Sequence, residues 1–190
     1  MQSPATRPSP PAWLLRGMSL LLVDMRRRWY LFLVLAAIWV LATIRVFFDH
    51  MPLLPIVFNW SPSLPYVVAY AEFGAGTYNR NDLILYPFHG PAGLGDFPEL
   101  KDQPFFKRIV GTQGDLITVV DRDVYVNGVF VGRAKPFSHD RRPLAPISPG
   151  VIPEGYLFVQ GTSADSFDSR YLGSGLVRLD RVKAKVHPIF

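Results

Sequence analysis

The sequence has no cysteine in its 190 residues. A disulfide framework, a thiol nucleophile and thiolate metal sites are therefore excluded, while the compartment stays open, because many exported proteins carry no disulfide. Histidine is scarce too. His50, His89, His139 and His187 stand apart from the hydroxyl- and lysine-bearing stretches described below and read as solvated or structural side chains. Positive charge is not gathered on the body of the chain. Of the net +5, +4 belongs to residues 1–28, where five arginines face Asp24 alone, and only +1 to the remainder. A nucleic-acid binder concentrates positive charge on its folded domain, whereas a basic head on a nearly neutral body is the asymmetry of a membrane protein. Beyond residue 51 no run has both helical length and helical period.

Residues 1–12 are rich in Pro and Ser without apolar periodicity and are expected to be a disordered cytoplasmic tail. Residues 13–28 read as an interfacial helix with a basic flank. Their apolar run is short and is interrupted by Arg16, Gly17 and Asp24. A second membrane span is the alternative there. After Arg26-Arg27-Arg28, residues 29–48 form an apolar run with no charge until Arg45, and Trp29 and Tyr30 sit where an interfacial belt belongs. The expectation is a single transmembrane helix, kept as an uncleaved anchor, with the N-terminus in the cytoplasm and residues 51–190 in the periplasm. The partner implied is the lipid bilayer, and no nucleic acid.

From residue 51 the chain breaks into short β-rich runs separated by Gly, Pro, Asn and Asp. Strands are expected over Tyr66–Tyr70, Leu83–Phe88, Phe105–Val110, Leu116–Val120, Val124–Val126, Val129–Gly132, Tyr156–Gln160 and Leu176–Val186. Asn127-Gly128 between two valine-rich runs is a two-residue hairpin signal, since both central residues of a type I′ turn need φ > 0. The fold class expected is mainly β, an antiparallel domain, with 135–150 as a polar insertion.

Three stretches carry chemistry. Asn59-Trp60-Ser61-Pro62-Ser63-Leu64-Pro65 places two hydroxyls two residues apart between prolines that hold the backbone extended. Alone it reads more readily as a surface loop. In Phe105-Phe106-Lys107-Arg108-Ile109-Val110, strand alternation flanks Lys107 with Phe105 and Ile109. Burial disfavours an ammonium, so a lysine there is a candidate base for a serine hydroxyl, although this segment alone reads more readily as a strand-edge lysine with its head in water. Gly111-Thr112-Gln113-Gly114-Asp115 then reads as a turn, with both glycines available for φ > 0. Gly161 to Gly173 is dense in hydroxyls and carboxylates and reads either as an ordinary solvated loop or as a shell that orients the lysine. Asp168 and Arg170 are spaced to pair with each other or with neighbouring backbone, and Ser166 is placed to offer a hydroxyl to the lysine.

Taken in order, these stretches resemble the sequence boxes of the type I signal peptidases, membrane-anchored Ser/Lys endopeptidases. Ser61-Pro62-Ser63-Leu64-Pro65 resembles the Ser-x-Ser-Met box, and Arg80-Asn81-Asp82-Leu83-Ile84-Leu85 the Gly-Asp-aliphatic strand. Lys107-Arg108-Ile109-Val110-Gly111 with Gly114-Asp115 resembles the lysine box, and Val151–Val159 the Val-Pro-x-Gly-x-x-Phe-Val strand. Ser166-Phe167-Asp168-Ser169-Arg170-Tyr171-Leu172-Gly173 is similar to the TraF-type branch, peptidases of conjugative transfer. The resemblance implies a signal-peptidase-like β domain in which Ser63 is the nucleophile and Lys107 the general base. It implies an oxyanion hole of Ser61 Oγ and the Ser63 N–H, orientation of Lys107 by Ser166, and structural or orienting roles for Asp168, Arg170, Arg108 and Asp115. It implies neither cofactor nor metal. The substrates it implies are exported precursors with small residues at the cleavage site, pilin-like or other conjugative-transfer components, with conjugation or secretion machinery as a further partner.

The chain departs from the boxes at Gln113, where the family has Pro, and at Tyr66–Tyr70, which lacks the glycine usual after the TraF-type Ser-x-Pro. Gly161-Thr162-Ser163-Ala164-Asp165 is one residue shorter than the usual lead of the third box, leaving Asp165 as the only nearby carboxylate for Arg108. That altered lead motivates an alternative, a catalytically silent assembly or scaffold component that keeps the peptidase fold. A self-cleaving regulator shares the Ser/Lys chemistry, but the membrane segment and the absence of a DNA-binding helical head argue against it.

Overall fold

The computed structural model describes residues 26–47, 55–59, 63–90 and 97–189, with side chains of the first stretch described to residue 44. The expectations for residues 1–12 and for most of 13–28 lie outside the described residues. The chain divides into two compact units, Met1–Asp49 and His50–Phe190.

In the first unit the helix α1 (Trp29–Phe47) runs for 19 residues, about 28 Å at the usual rise of an α-helix. No charged residue interrupts it before Arg45, and its described side chains are exposed on every side. A helix that is apolar all round lacks the polar face a surface helix turns to water. Among the described residues, however, no helix is long and apolar enough to cross a membrane. The side chains of α1 are described only as far as Ile44, and the span expected over 29–48 is not shown.

The second unit is antiparallel throughout. Its strands in chain order are β1 (Ile56–Phe58), β2 (Val68–Phe73), β3 (Leu83–Pro87), β4 (Pro104–Gly111), β5 (Leu116–Val120), β6 (Asp123–Val126), β7 (Val129–Arg133), β8 (Gly150–Val151), β9 (Tyr156–Gln160), β10 (Val177–Arg178) and β11 (Ala184–Pro188). Seven form one sheet in the order β1-β2-β11-β3-β4-β9-β10, and four form a second, β7-β6-β5-β8. The mainly β reading therefore holds. Asn127 and Gly128 have φ of 50° and 77°, as the two-residue turn between β6 and β7 requires.

Three differences from the expected strands have physical causes. Leu176–Val186 is not one strand: β10 pairs with β9 at one edge of the large sheet, whereas β11 lies between β2 and β3. The 3₁₀ turn Leu179–Arg181 carries the chain away between them. β2 begins two residues late, because the Asn59 side chain donates to the Leu64 and Tyr66 carbonyls at 3.2 and 3.0 Å and holds that segment out of the ladder. Gly111 is not a positive-φ turn residue like Gly114 (φ 85°). It ends β4, and a methyl group there would lie 2.7 Å from Ile152 Cδ1 and 3.0 Å from Phe158 Cβ, so glycine is needed for close packing.

β3 is buried along its whole length, which accounts for its continuous apolar run. One face of the large sheet packs Val57, Leu64, Leu83, Leu85 and Val186 with Phe106. The other packs Ile84, Tyr86, Ile109, Leu157 and Val159 with Phe105. Lys107 is paired with Ile84 across the β3–β4 ladder and so belongs to this second face.

Candidate active site

Lys107 is 3% exposed. Its Nζ lies 5.2 Å from the centre of the Phe105 ring and donates a hydrogen bond of 2.8 Å to Ser166 Oγ, which is buried as well. Burial lowers the Lys107 pKa from its ordinary 10.5 to about 8; Asp168 acts against the shift and Arg170 adds to it. At neutral pH roughly a tenth of the amines are thus unprotonated, against fewer than about one in a thousand for a solvated lysine.

The loop after β9 holds Ser166 in place. The Asp168 carboxylate is fully buried and accepts the Gly161 N–H at 2.9 Å, Arg170 Nε at 2.8 Å and Arg170 Nη2 at 2.9 Å. Arg170 Nη2 in turn donates to the Ser166 carbonyl at 3.0 Å. A buried charge is tolerable only when paired and hydrogen-bonded, and these two satisfy each other. Ser169 stitches the loop to β9: its Oγ accepts the Val159 N–H at 3.0 Å and donates to the Gly175 carbonyl at 2.7 Å.

Ser63 is half-buried. Its carbonyl accepts the Thr162 N–H at 2.7 Å and the Thr162 hydroxyl at 3.1 Å. Gly161 is where the two segments meet. A methyl group on it would sit 2.1 Å from Ser166 Oγ and 2.9 Å from the Ser63 carbonyl oxygen, so both atoms crowd the same side of its Cα. Ser63, Lys107, Ser166, Asp168 and Arg170 are therefore gathered in one neighbourhood. Ser61 lies outside the described residues.

Two expected members stand elsewhere. Arg108 is on the opposite face of β4 from Lys107, its backbone paired with Leu83 and Gln160. Asp165, the carboxylate expected for it, bonds to Lys135 instead. Asp115 braces the turn after β4, accepting the Thr112 N–H and Asn127 Nδ2, each at 2.6 Å, and pairing with Arg80 at 2.5 Å. Burial tends to raise its carboxyl pKa, but these donors and the Arg80 charge hold it below the usual range. Two of the histidines face carboxylates away from these serines, His89 Nε2 at 3.1 Å from Asp102 and His187 Nε2 at 2.9 Å from Glu72. Among the described residues no group of His, Asp and Glu is disposed to hold a metal ion. Sequence reasoning passed over Asn59 and Thr162, whose partners are backbone carbonyls, and Gly161, which acts through its own N–H and its lack of a side chain; the one signal at Gly161 was a glycine directly after an apolar strand.

An antiparallel β domain that buries a lysine amine against a serine hydroxyl, with a second serine held nearby through its carbonyl, is in keeping with the serine-peptidase kind. The chain belongs to the signal peptidase family, peptidase S26, whose model matches residues 26–190. It is 33% identical over 84 residues to the conjugal transfer protein TraF of Agrobacterium fabrum, covering 41% of this chain and 47% of that one. It is 32% identical over 102 residues to the chloroplastic thylakoidal processing peptidase 1 of Arabidopsis thaliana, covering 49% and 27%. Among solved structures it is similar to a signal peptidase I from Enterococcus faecalis, with 24% identity, a TM-score of 0.35, and coverage of 57% of this chain and 96% of that one. The chain spans about half or less of the length of the curated relatives it matches.

Proposed function

We propose that the protein is a membrane-anchored serine endopeptidase that cleaves exported precursors, with pilin-like or other conjugative-transfer components as its substrates. The observation that supports this most is the buried Lys107 amine, 2.8 Å from Ser166 Oγ and with its pKa at about 8. A water-exposed lysine has no cause to be so poised, and perturbed groups of this kind mark functional sites. In this reading Lys107, in its neutral form, takes the proton of Ser63 Oγ as that oxygen attacks the scissile carbonyl. The oxyanion is met by the Ser63 N–H and Ser61 Oγ, and a donor so placed is worth about 3 kcal/mol. Lys107 then passes its proton to the departing amine, leaving an acyl ester on Ser63. Water hydrolyses the ester with Lys107 again as base. Ser166 fixes the amine's direction throughout.

The all-round apolar α1, preceded by Arg26–Arg28, supports anchoring in the cytoplasmic membrane with the arginines inside and the β unit on the outer, periplasmic side. The link to conjugation rests on the similarity to TraF. The test is precursor processing in cells carrying Ser63→Ala or Lys107→Ala. Each variant is expected to abolish maturation while the protein stays inserted and folded. Processing at the wild-type rate by either one overturns the assignment. Loss of pilus assembly without loss of precursor cleavage would favour the silent scaffold.

A further inference from the structure

The segment in which the chain departs from the family's third box is the segment that grips Ser63. Thr162 gives the Ser63 carbonyl two hydrogen bonds, one from its N–H at 2.7 Å and one from its hydroxyl at 3.1 Å. It follows Gly161, whose N–H is held by the buried Asp168 carboxylate at 2.9 Å and whose Cα abuts Ser166 Oγ. The element that fixes the partner of Lys107 thus also fixes the peptide group of Ser63. Just beyond that residue, Asn59 Nδ2 holds the carbonyls of Leu64 and Tyr66. The Ser63 and Leu64 carbonyls are both clamped, so the backbone leaving the residue that carries Oγ is held at two successive peptide groups.

We infer that Thr162 is a positioning residue for Ser63, its hydroxyl locking the Ser63 peptide so that Oγ stays within reach of the Lys107 amine. The inference rests on the reading of Ser63 as nucleophile. It also gives the shortened lead of the third box a role, since a residue there reaches the serine rather than Arg108. Thr162 is exposed, so removing its hydroxyl leaves no buried group unpaired and does not threaten the fold. The hydrogen bond acts on geometry at the reacting centre, where small misplacements cost rate rather than binding.

Thr162→Val keeps the shape and the N–H but loses the hydroxyl, whereas Thr162→Ser keeps both donors. The full-length protein in membranes is assayed for acylation by a small serine-directed phosphonate and for kcat and KM on a precursor peptide. Thr162→Val is expected to slow acylation and kcat about tenfold, the worth of one hydrogen bond, with KM and the midpoint of the pH profile unchanged. Thr162→Ser is expected to retain the wild-type rate. Acylation of Thr162→Val at the wild-type rate, equal losses in both variants, or a raised KM with unchanged kcat each overturn the inference. Ser63→Ala separates the two failures. If it remains labelled, the nucleophile assignment falls and the inference with it; if it is silent while Thr162→Val is fast, only the inference falls.

Discussion

Gly161 and Ser166 leave each other no spare room: a Cβ on the glycine would lie 2.1 Å from the serine Oγ and 2.7 Å from its Cβ. Neither neighbour is the end of a long side chain that can swing aside. Gly161→Ala must therefore push Ser166 away from Lys107 or distort the loop. Processing is expected to fall on the order of a hundredfold, as for loss of an oriented base, with a stability cost of about 1–3 kcal/mol from overpacking. Precursor cleavage and thermal unfolding of the same preparation check both, and a wild-type rate would mean that Ser166 does not orient the lysine.

Asp168 and Arg170 form an ion pair in which both side chains are buried, 0% and 4% exposed, and both charges act on the Lys107 amine. Asp168→Ala leaves a buried guanidinium unpaired and the Gly161 N–H without its acceptor. A loss of about 3–5 kcal/mol is expected from urea unfolding. Replacing both members, Asp168→Leu with Arg170→Met, is expected to cost clearly less than the single change. A single variant as stable as wild type would show that the pair is not what holds the loop. Because the Asp168 charge supports the protonated amine, its loss also moves the Lys107 pKa further down.

How much of this was legible in the chain depends on whether a residue acts through its own pattern or through tertiary approach. The hairpin at Asn127-Gly128 was readable because its chemistry is local. Lys107 was readable because a strand's alternation places it between Phe105 and Ile109 wherever the strand ends up. The break within Leu176–Val186 was not, since an apolar run does not disclose that its two halves pair at different places in one sheet. Gly111 looks like a turn glycine in sequence, and only the approach of Ile152 and Phe158 shows why a side chain is barred. Thr162 and Asn59 were hidden for the same reason: their partners are carbonyl groups, which every residue has.

Among the described residues, the buried Tyr86 hydroxyl has no hydrogen-bond partner. Its pKa is pushed well up by burial and further by Asp168, so the phenol is neutral at every working pH. An unsatisfied buried hydroxyl is a net cost, and removing it while keeping the ring removes the cost. Tyr86→Phe is expected to stabilise the protein by about 1 kcal/mol, a rise of a few degrees in Tm, with processing unchanged. Calorimetry checks this, and a clear loss of stability would show that the hydroxyl has a partner in solution.

Lys107 ties activity and stability to pH through one protonation. Cleavage needs the neutral amine, so kcat/KM is expected to rise with pH to a plateau with a midpoint at about 8, falling about tenfold per unit below it. Lys107→Arg, which cannot deprotonate, is expected to be inactive at any pH. For stability, the folded pKa of about 8 lies below the ordinary 10.5 of the unfolded chain. Between those values the unfolded state binds more protons, so stability rises with pH across that window. Below pH 8 the whole penalty of burying the ammonium is present, on the order of 3 kcal/mol for a shift of this size. Lys107→Met keeps length and apolar packing without the charge. It is expected to be inactive, more stable than wild type at pH 7, and free of the rise between pH 8 and 10.5. Parallel stability curves for the two proteins over that range would show that the amine is not desolvated, and the case for Lys107 as the base would lose its physical ground.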